Sequence, residues 1–130
     1  AACLTGEAVR AVSLCAEAGE HCGPPAFAEI ALDVGTMLAR DPAMAAAHVD
    51  AVRCYLTLSQ EVADRGLRYR VEDLRATLFG QLGQADAAHA CSQRARAEVE
   101  SMSQRLPRAH RELLAEHPWI RAVQSLRLVP

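Results

Sequence analysis

Five cysteines and five histidines are the residue types in this chain best suited to metal binding or nucleophilic chemistry. Cys15, His21 and Cys22 lie close together, and thiolate and imidazole ligands of this kind favour zinc. The spacing suits zinc poorly, because the chain has no Cys-x-x-Cys pair and a fourth ligand must come from elsewhere. We favour the alternative that Cys15 is a core residue and that His21 and Cys22 occupy a turn, so we expect no metal.

His89 and Cys91 are the residue types of a base–nucleophile pair. Residues two apart point to different sides of a helix, so these two cannot act as a pair on their own. Cys91 also falls on a predicted buried stripe. Glu98 and Glu100 do not share a helical face, and the chain has neither a phosphate-binding Gly-rich loop nor a Ser-centred elbow. The chain is therefore predicted not to be an enzyme and to need no cofactor.

Arginine supplies every basic side chain, and 14 basic against 16 acidic residues give a formal charge of −2. This balance gives no general reason to expect a nucleic acid or a membrane as partner. Local clusters, which phosphate binding would use, comprise Arg65, Arg68, Arg70 and Arg75 at one turn and Arg105, Arg108 and Arg111 at another. Aromatic residues near them are few, so solvated helix ends are the favoured interpretation and nucleic acid is not the expected partner.

Composition indicates which elements position these residues. The chain is 51% hydrophobic but only 4% aromatic, and alanine and leucine dominate. Alanine is the best helix former, whereas strands favour branched and aromatic residues, so we predict an all-α fold. The 130 residues fit one domain, 1–130, which we interpret as a fragment of a larger protein. Thiols on apolar stripes and the absence of a long apolar run predict a cytoplasmic location without a membrane segment.

Apolar residues recur at three- and four-residue steps in successive segments, which indicates helices. About seven are predicted, at roughly 5–20, 25–40, 42–66, 67–83, 85–106, 108–116 and 119–127. The stripe of the third comprises Met44, Ala47, Ala51, Cys54, Leu58 and Val62. The links between them are only a few residues long, so neighbouring helices are predicted to pack antiparallel.

Two segments have the same pattern at an offset of 41 residues. The aligned pairs are Gly35 and Ala76, Leu38 and Phe79, Pro42 and Gly83, Ala47 and Ala88, and Cys54 and Ala95. A period in this range indicates stacked helical hairpins. The predicted repeat-like units are 25–66 and 67–106, followed by C-terminal capping helices in 107–130.

The second unit resembles a tetratricopeptide-like repeat. In that family, small residues of two helices pack together, a bulky residue fills the groove and Gly makes the turn. Ala76, Phe79, Gly83, Ala88 and Ala95 match those roles. Glu72 replaces the family's large first-helix aromatic residue, the closing proline is absent and the repeat is longer. The longer repeats are similar to helical regions of large bacterial ATPase-linked and kinase-linked transcriptional regulators, which implies a non-catalytic protein-interaction domain in regulation and signalling.

The resemblance also implies a binding surface, because first helices in that family line a concave wall. Its non-core positions here are Glu29, Thr36 and Arg40 in the first copy and Arg70, Asp73, Thr77 and Gln81 in the second. Mixed polar side chains suit an extended or helical peptide. Two alternatives remain: two repeats could be too short for a groove and simply pack on neighbouring repeats, or exposed ends of the stack could pair two copies as a homodimer.

Overall fold

Apolar faces at helical spacing produce an all-helical chain. A computed structural model describes residues 2–40, 42–64, 66–118 and 120–121, and these ranges contain no β-strand, which confirms the all-α class. The helices are α1 (Ala2–His21), α2 (Pro24–Ala39), α3 (Pro42–Ala47), α4 (Val49–Ser59), α5 (Arg68–Gln81), α6 (Ala85–Gln104) and α7 (Arg108–Glu116). The predicted helix at 119–127 lies outside the described residues except for 120–121.

The predicted third helix is wrong in its extent and in part of its buried face, since Ala51 and Val62 are buried as predicted but Ala47 and Cys54 are exposed. It divides at His48, whose backbone leaves the helical region at φ −130° and ψ 49°. The second piece, α4, ends at Ser59 rather than near residue 66. Beyond it, the Asp64 carboxylate accepts hydrogen bonds from the backbone N–H groups of Gly66 and Leu67, at 2.9 and 3.1 Å. A side chain that bonds to the backbone in this way stabilises a turn at the expense of a helix.

The face that α4 buries is set by Tyr55. Tyr55 is fully buried, and its hydroxyl donates a 2.7 Å hydrogen bond to the carbonyl of Ala31 on α2. Ala47 and Cys54, which align with the small residues Ala88 and Ala95 of the second unit, are exposed instead. The predicted helix contact in the first repeat is therefore wrong, and a large aromatic residue occupies the position expected for a small one.

Helices α5 and α6 form an antiparallel hairpin, as predicted. Gly83 ends α5 in the left-handed region at φ 78°. The N–H of Gln84 donates to the carbonyl of Phe79 at 2.9 Å, and the N–H of Gly83 donates to that of Gly80 at 3.1 Å. These two bonds define a Schellman motif, whose left-handed position suits glycine. The predicted turn at Gly83 is confirmed.

Helices α2 and α5 lie side by side and run parallel. Gln81 near the end of α5 donates a 3.2 Å hydrogen bond to the carbonyl of Ala39 at the end of α2. Halfway along, Gly35 of α2 faces Leu74 of α5. These contacts pair residues about one predicted repeat apart. The two helices that were predicted to open successive units are thus direct neighbours.

Two apolar cores meet at α5. The larger includes residues from α1, α2 and α4 together with Val71 and Leu78 of α5. The smaller comprises Tyr69, Ala95, Val99 and Ile120, with Met102 and Leu114 packed against it. Leu114 of α7 and Ile120 thus fold back onto the last hairpin, as their apolar character predicts. Leu113 on the same helix is 66% exposed.

The contact between α2 and α4 generates a stability prediction. A Cβ at Gly35 would overlap the Tyr55 hydroxyl and lie 2.8 Å from Tyr55 Cζ and 3.0 Å from Leu74 Cδ1. Gly35→Ala should therefore lower the free energy of unfolding by about 1–3 kcal/mol, as overpacking of a core does. Gly80→Ala is the matched control, because nothing lies within 4 Å of its added Cβ. It should stabilise the protein by about 0.5–1 kcal/mol through helix propensity. Urea denaturation of both variants checks the difference in sign, and a stabilised Gly35→Ala would contradict the packing.

Candidate partner-binding groove

A polar groove runs along α2 and is closed on its other side by the start of α5. Its volume is about 670 Å³. It is lined by Glu29, Leu32, Asp33, Thr36, Arg40, Leu67 and Arg70. The α2 residues recur at three- and four-residue steps and so share one face of that helix. From Glu29 to Arg40 this face extends about 16 Å at the helical rise per residue.

The groove contains four of the seven predicted binding residues. Glu29, Thr36 and Arg40 line it from α2, and Arg70 lines it from α5. Thr36 is exposed, and its hydroxyl donates to the carbonyl of Leu32 at 2.7 Å. That hydroxyl oxygen keeps lone pairs that can accept a hydrogen bond from a ligand.

The other three predicted residues, Asp73, Thr77 and Gln81, do not line this cavity. Gln81 is half-buried and is tied to α2 through its bond to the Ala39 carbonyl. Thr77 is exposed, and its hydroxyl donates to the Asp73 carbonyl at 3.2 Å. Asp73 is half-buried; burial raises the pKa of its carboxyl above the ordinary value, while the nearby Arg70 opposes that rise. Gln81 therefore serves a contact within the protein, whereas Thr77 is exposed but lies outside this cavity.

Charge is distributed unevenly along the groove. Glu29 and Asp33 place two exposed carboxylates one turn apart on α2, and Arg40 places a guanidinium at the far end of that helix. Asp33 was not among the predicted binding residues. Its four-residue spacing from Glu29 is the signal in the sequence that could have identified it.

A buried polar network ties α4, α5 and α6 together behind the groove. Arg75 is 2% exposed, and its Nη1 donates to the Leu56 carbonyl at 2.9 Å and to the Ser59 hydroxyl at 3.1 Å. Its Nε lies 3.7 Å from the carboxylate of Glu72, which is 5% exposed. Arg94 of α6 approaches the same carboxylate oxygen through Nε at 3.3 Å. One acid thus interacts with two arginines on different helices.

The interpretation of Arg75 as a solvated helix-end residue is wrong. Because its guanidinium is buried in this network, it cannot meet a phosphate group as part of the first arginine cluster. Its Nη1 bonds to fixed acceptors on α4, while its buried Nε has no hydrogen-bond partner and relies on the charge of the Glu72 carboxylate 3.7 Å away. In the second cluster, Arg105, Arg108 and Arg111 are exposed, as the helix-end interpretation predicts. Of these, Arg111 also donates to the Leu106 carbonyl at 2.8 Å.

The residues first considered for metal and nucleophilic chemistry do not form a shared centre in the described ranges. No group of three or more His, Cys, Asp and Glu side chains that could hold a metal ion occurs among them. Cys15 is buried and Cys22 lies exposed in the link after α1, as the core-and-turn interpretation predicts, whereas His21 is the last residue of α1 and not part of the turn. Burial, with a smaller contribution from Cys54, raises the pKa of the Cys15 thiol, which favours its unreactive form. Cys91 is also buried, whereas His89 is exposed and pairs with Gln93 at 3.0 Å.

None of the helices within the described residues is both long and apolar enough to cross a membrane.

Comparison of the chain with protein-family models, curated proteins and solved structures finds no match in any of the three. The residues and geometry of the groove are therefore the basis for a function.

Removing Arg75 should test the buried network. Arg75→Met leaves the Glu72 carboxylate buried with one partner fewer, so we expect the free energy of unfolding to fall by about 3 kcal/mol. Replacing Glu72→Leu together with Arg75→Met should cost less than the single change, because no buried charge is left unpaired and Arg94, which loses the same acid, is half-exposed to solvent. Arg53→Met on the exposed face of α4 is the control and should change stability by about 0.5 kcal/mol or less. Equal midpoints in urea for Arg75→Met and Arg53→Met would contradict the network.

Asp73 generates a prediction about pH. Its folded-state pKa is raised, so the carboxylate form is disfavoured by folding and stability increases as the pH falls through that folded pKa. Asp73→Asn should therefore have a higher melting temperature than the parent at neutral pH. The difference should vanish below about pH 4, where the carboxyl is protonated in the folded and the unfolded state alike. Asp33→Asn, which removes an exposed charge from α2, is the control for net charge. A less stable Asp73→Asn at neutral pH would show that the attraction to Arg70 dominates.

Proposed function

We propose that this chain is a non-catalytic protein-interaction domain that binds an extended peptide of mixed charge in the groove between α2 and α5. The observation that carries the proposal is the exposed stripe of Glu29, Asp33, Thr36 and Arg40 along one wall of a cavity of about 670 Å³. Polar side chains without an acid–base–nucleophile arrangement favour binding over catalysis.

The length of the groove suggests the size of its ligand. An extended chain advances about 3.3 Å per residue, so a stripe of about 16 Å matches roughly five peptide residues. The complementary peptide has a basic side chain opposite Glu29 and Asp33 and an acidic one opposite Arg40. Charge complementarity of this kind increases specificity and the association rate more than raw affinity.

The surrounding packing supports a preformed groove. Gln81 fixes the ends of α2 and α5 together, and Tyr55 fixes α2 on α4 through the Ala31 carbonyl. A rigid groove avoids the entropic cost of ordering a flexible surface when a peptide binds. The parallel α2 and α5, about one predicted repeat apart, also suit a short tetratricopeptide-like stack.

The resemblance to helical regions of bacterial regulators extends the proposal to a biological role. In a cytoplasmic regulatory protein, occupation of the groove would bias an associated ATPase, kinase or transcription module. Such a display surface needs no cofactor.

A second candidate function is self-assembly through the outer helices. Val9 and Leu14 on α1 are 52% and 54% exposed, and Leu113 on α7 is 66% exposed. Helix α1 packs on α2 and α4, while α7 packs on α6, so these residues mark opposite sides of the helical array. Light scattering over a range of concentrations separates the candidates, because a groove-binding monomer keeps its mass and a homodimer does not.

Peptide selection tests the groove directly. Display of random peptides on phage should enrich sequences that carry a basic and an acidic residue within about five positions. Arg40→Glu should weaken an enriched peptide about tenfold or more, which corresponds to about 1.4 kcal/mol. Asp33→Arg should weaken it similarly, because the opposite charge of the peptide then meets repulsion.

The controls for that experiment are Arg10→Glu and Glu17→Arg. Both residues are exposed on α1 and lie outside the groove. These two variants reproduce the change in net charge of the groove variants. Their affinity for the enriched peptide, measured by calorimetry, should equal that of the parent. Equal losses for the groove variants and the controls would refute a specific site, as would a selection without enrichment.

A further inference from the structure

A second cavity, separate from the groove, lies where the end of α1, the start of α2 and the chain after α4 converge. Its volume is about 410 Å³, within the range of small-molecule sites. Its apolar lining includes Ala16, Pro24, Phe27 and Leu58. The cavity shares no lining residue with the groove between α2 and α5.

The local sequence keeps this space open. Gly19 lines the cavity from α1, and a Cβ there would lie 3.3 Å from Cε1 of Phe27. A larger side chain at this position would therefore project toward the ring and the space beside it. Helix α4 ends at Ser59, and the chain then turns inward with Val62 2% exposed. The small Ala63 follows at the cavity wall.

Two charged residues among the described residues line this cavity, and both are acidic. Glu20 and Glu61 are exposed carboxylates, and no described arginine lines the cavity beside them. Glu20 lies 3.8 Å from the exposed ring of His21. An apolar cavity with carboxylates at its opening is complementary to a ligand that is apolar at one end and positively charged at the other.

We infer that this cavity binds a small organic cation with an apolar body. The hydrocarbon part enters against Phe27 and Leu58, where burial of its apolar surface drives binding. The ammonium group stays at the opening and donates hydrogen bonds to Glu61 and Glu20. This site goes beyond the proposed peptide groove, and it stands whether or not the groove binds a peptide.

Cysteine alkylation provides a direct test on the whole chain. Cys22 lines the cavity and is exposed, while Cys54 is exposed on α4 outside it. The labelling rate of Cys22 therefore measures access to the site, and that of Cys54 is the internal control. The probes are phenylbutylammonium, phenylbutanol and phenylbutanoate, which share one carbon skeleton and differ in charge. Saturating phenylbutylammonium should slow iodoacetamide labelling of Cys22 and leave labelling of Cys54 unchanged, as measured by peptide mass spectrometry.

Titration then measures the charge preference. Phenylbutylammonium should protect Cys22 at concentrations about tenfold lower than phenylbutanol, and phenylbutanoate should not protect it. Glu61→Gln should remove most of that preference, whereas Glu17→Gln, an exposed acid on α1 outside the cavity, should preserve it. Ala63→Leu should abolish protection by filling the opening, and its circular dichroism should match the parent because Ala63 is exposed.

Three results would overturn the inference. They are equal protection by all three probes, loss of the charge preference in Glu17→Gln as well as in Glu61→Gln, and failure of phenylbutylammonium to protect Cys22 at any concentration. Equal protection of Cys22 and Cys54 would likewise show a general effect on thiol reactivity instead of a site.

Discussion

A fully buried guanidinium governs how α4, α5 and α6 pack. Water does not reach Arg75, so the protein must supply acceptors for its charge. The Leu56 carbonyl, the Ser59 hydroxyl and the Glu72 carboxylate do so from fixed positions on α4 and α5. Arg94 extends the network to α6. Rotation or sliding of α5 would break these contacts at once, which favours a single register among the three helices.

The same constraint positions the proposed binding surface. Helix α5 contributes one wall of the groove, and the network on its other side holds its rotation. Tyr55 of α4 donates a hydrogen bond to the Ala31 carbonyl of α2, and Gln81 of α5 donates one to the Ala39 carbonyl. These bonds hold α2 against the two helices that the network positions. The groove is therefore built on helices that hydrogen bonds hold to their neighbours, and the exposed charges of α2 lie on this preformed surface.

The sequence predicts the extents of α1, α2, α5 and α6 well, because apolar residues recur along each at a period of 3.6 residues. It does not predict that α5 also buries Glu72 and Arg75. It fails for α4, since the choice of buried face depends on Tyr55 reaching a carbonyl 24 residues away and on the space left by Gly35. Burial of Arg75 is hidden for the same reason, because its acceptor lies 19 residues away on α4. The resemblance places Glu29, Thr36 and Arg40 on one face of α2, where they line the groove, but it fails for most of the α5 residues because a contact between helices engages Gln81.

The two apolar cores determine which helices can open without unfolding the rest of the protein. Helix α5 contributes Val71 and Leu78 to the larger core and Tyr69 to the smaller, so it belongs to both. The outer helix α6 and the chain after it can open while the larger core stays intact, but α5 cannot loosen without disturbing both cores. Amide hydrogens of α5 should therefore exchange only through global unfolding, while those of α7 exchange through a smaller local opening. The groove wall that α5 provides would then persist in every partly open state of the native protein.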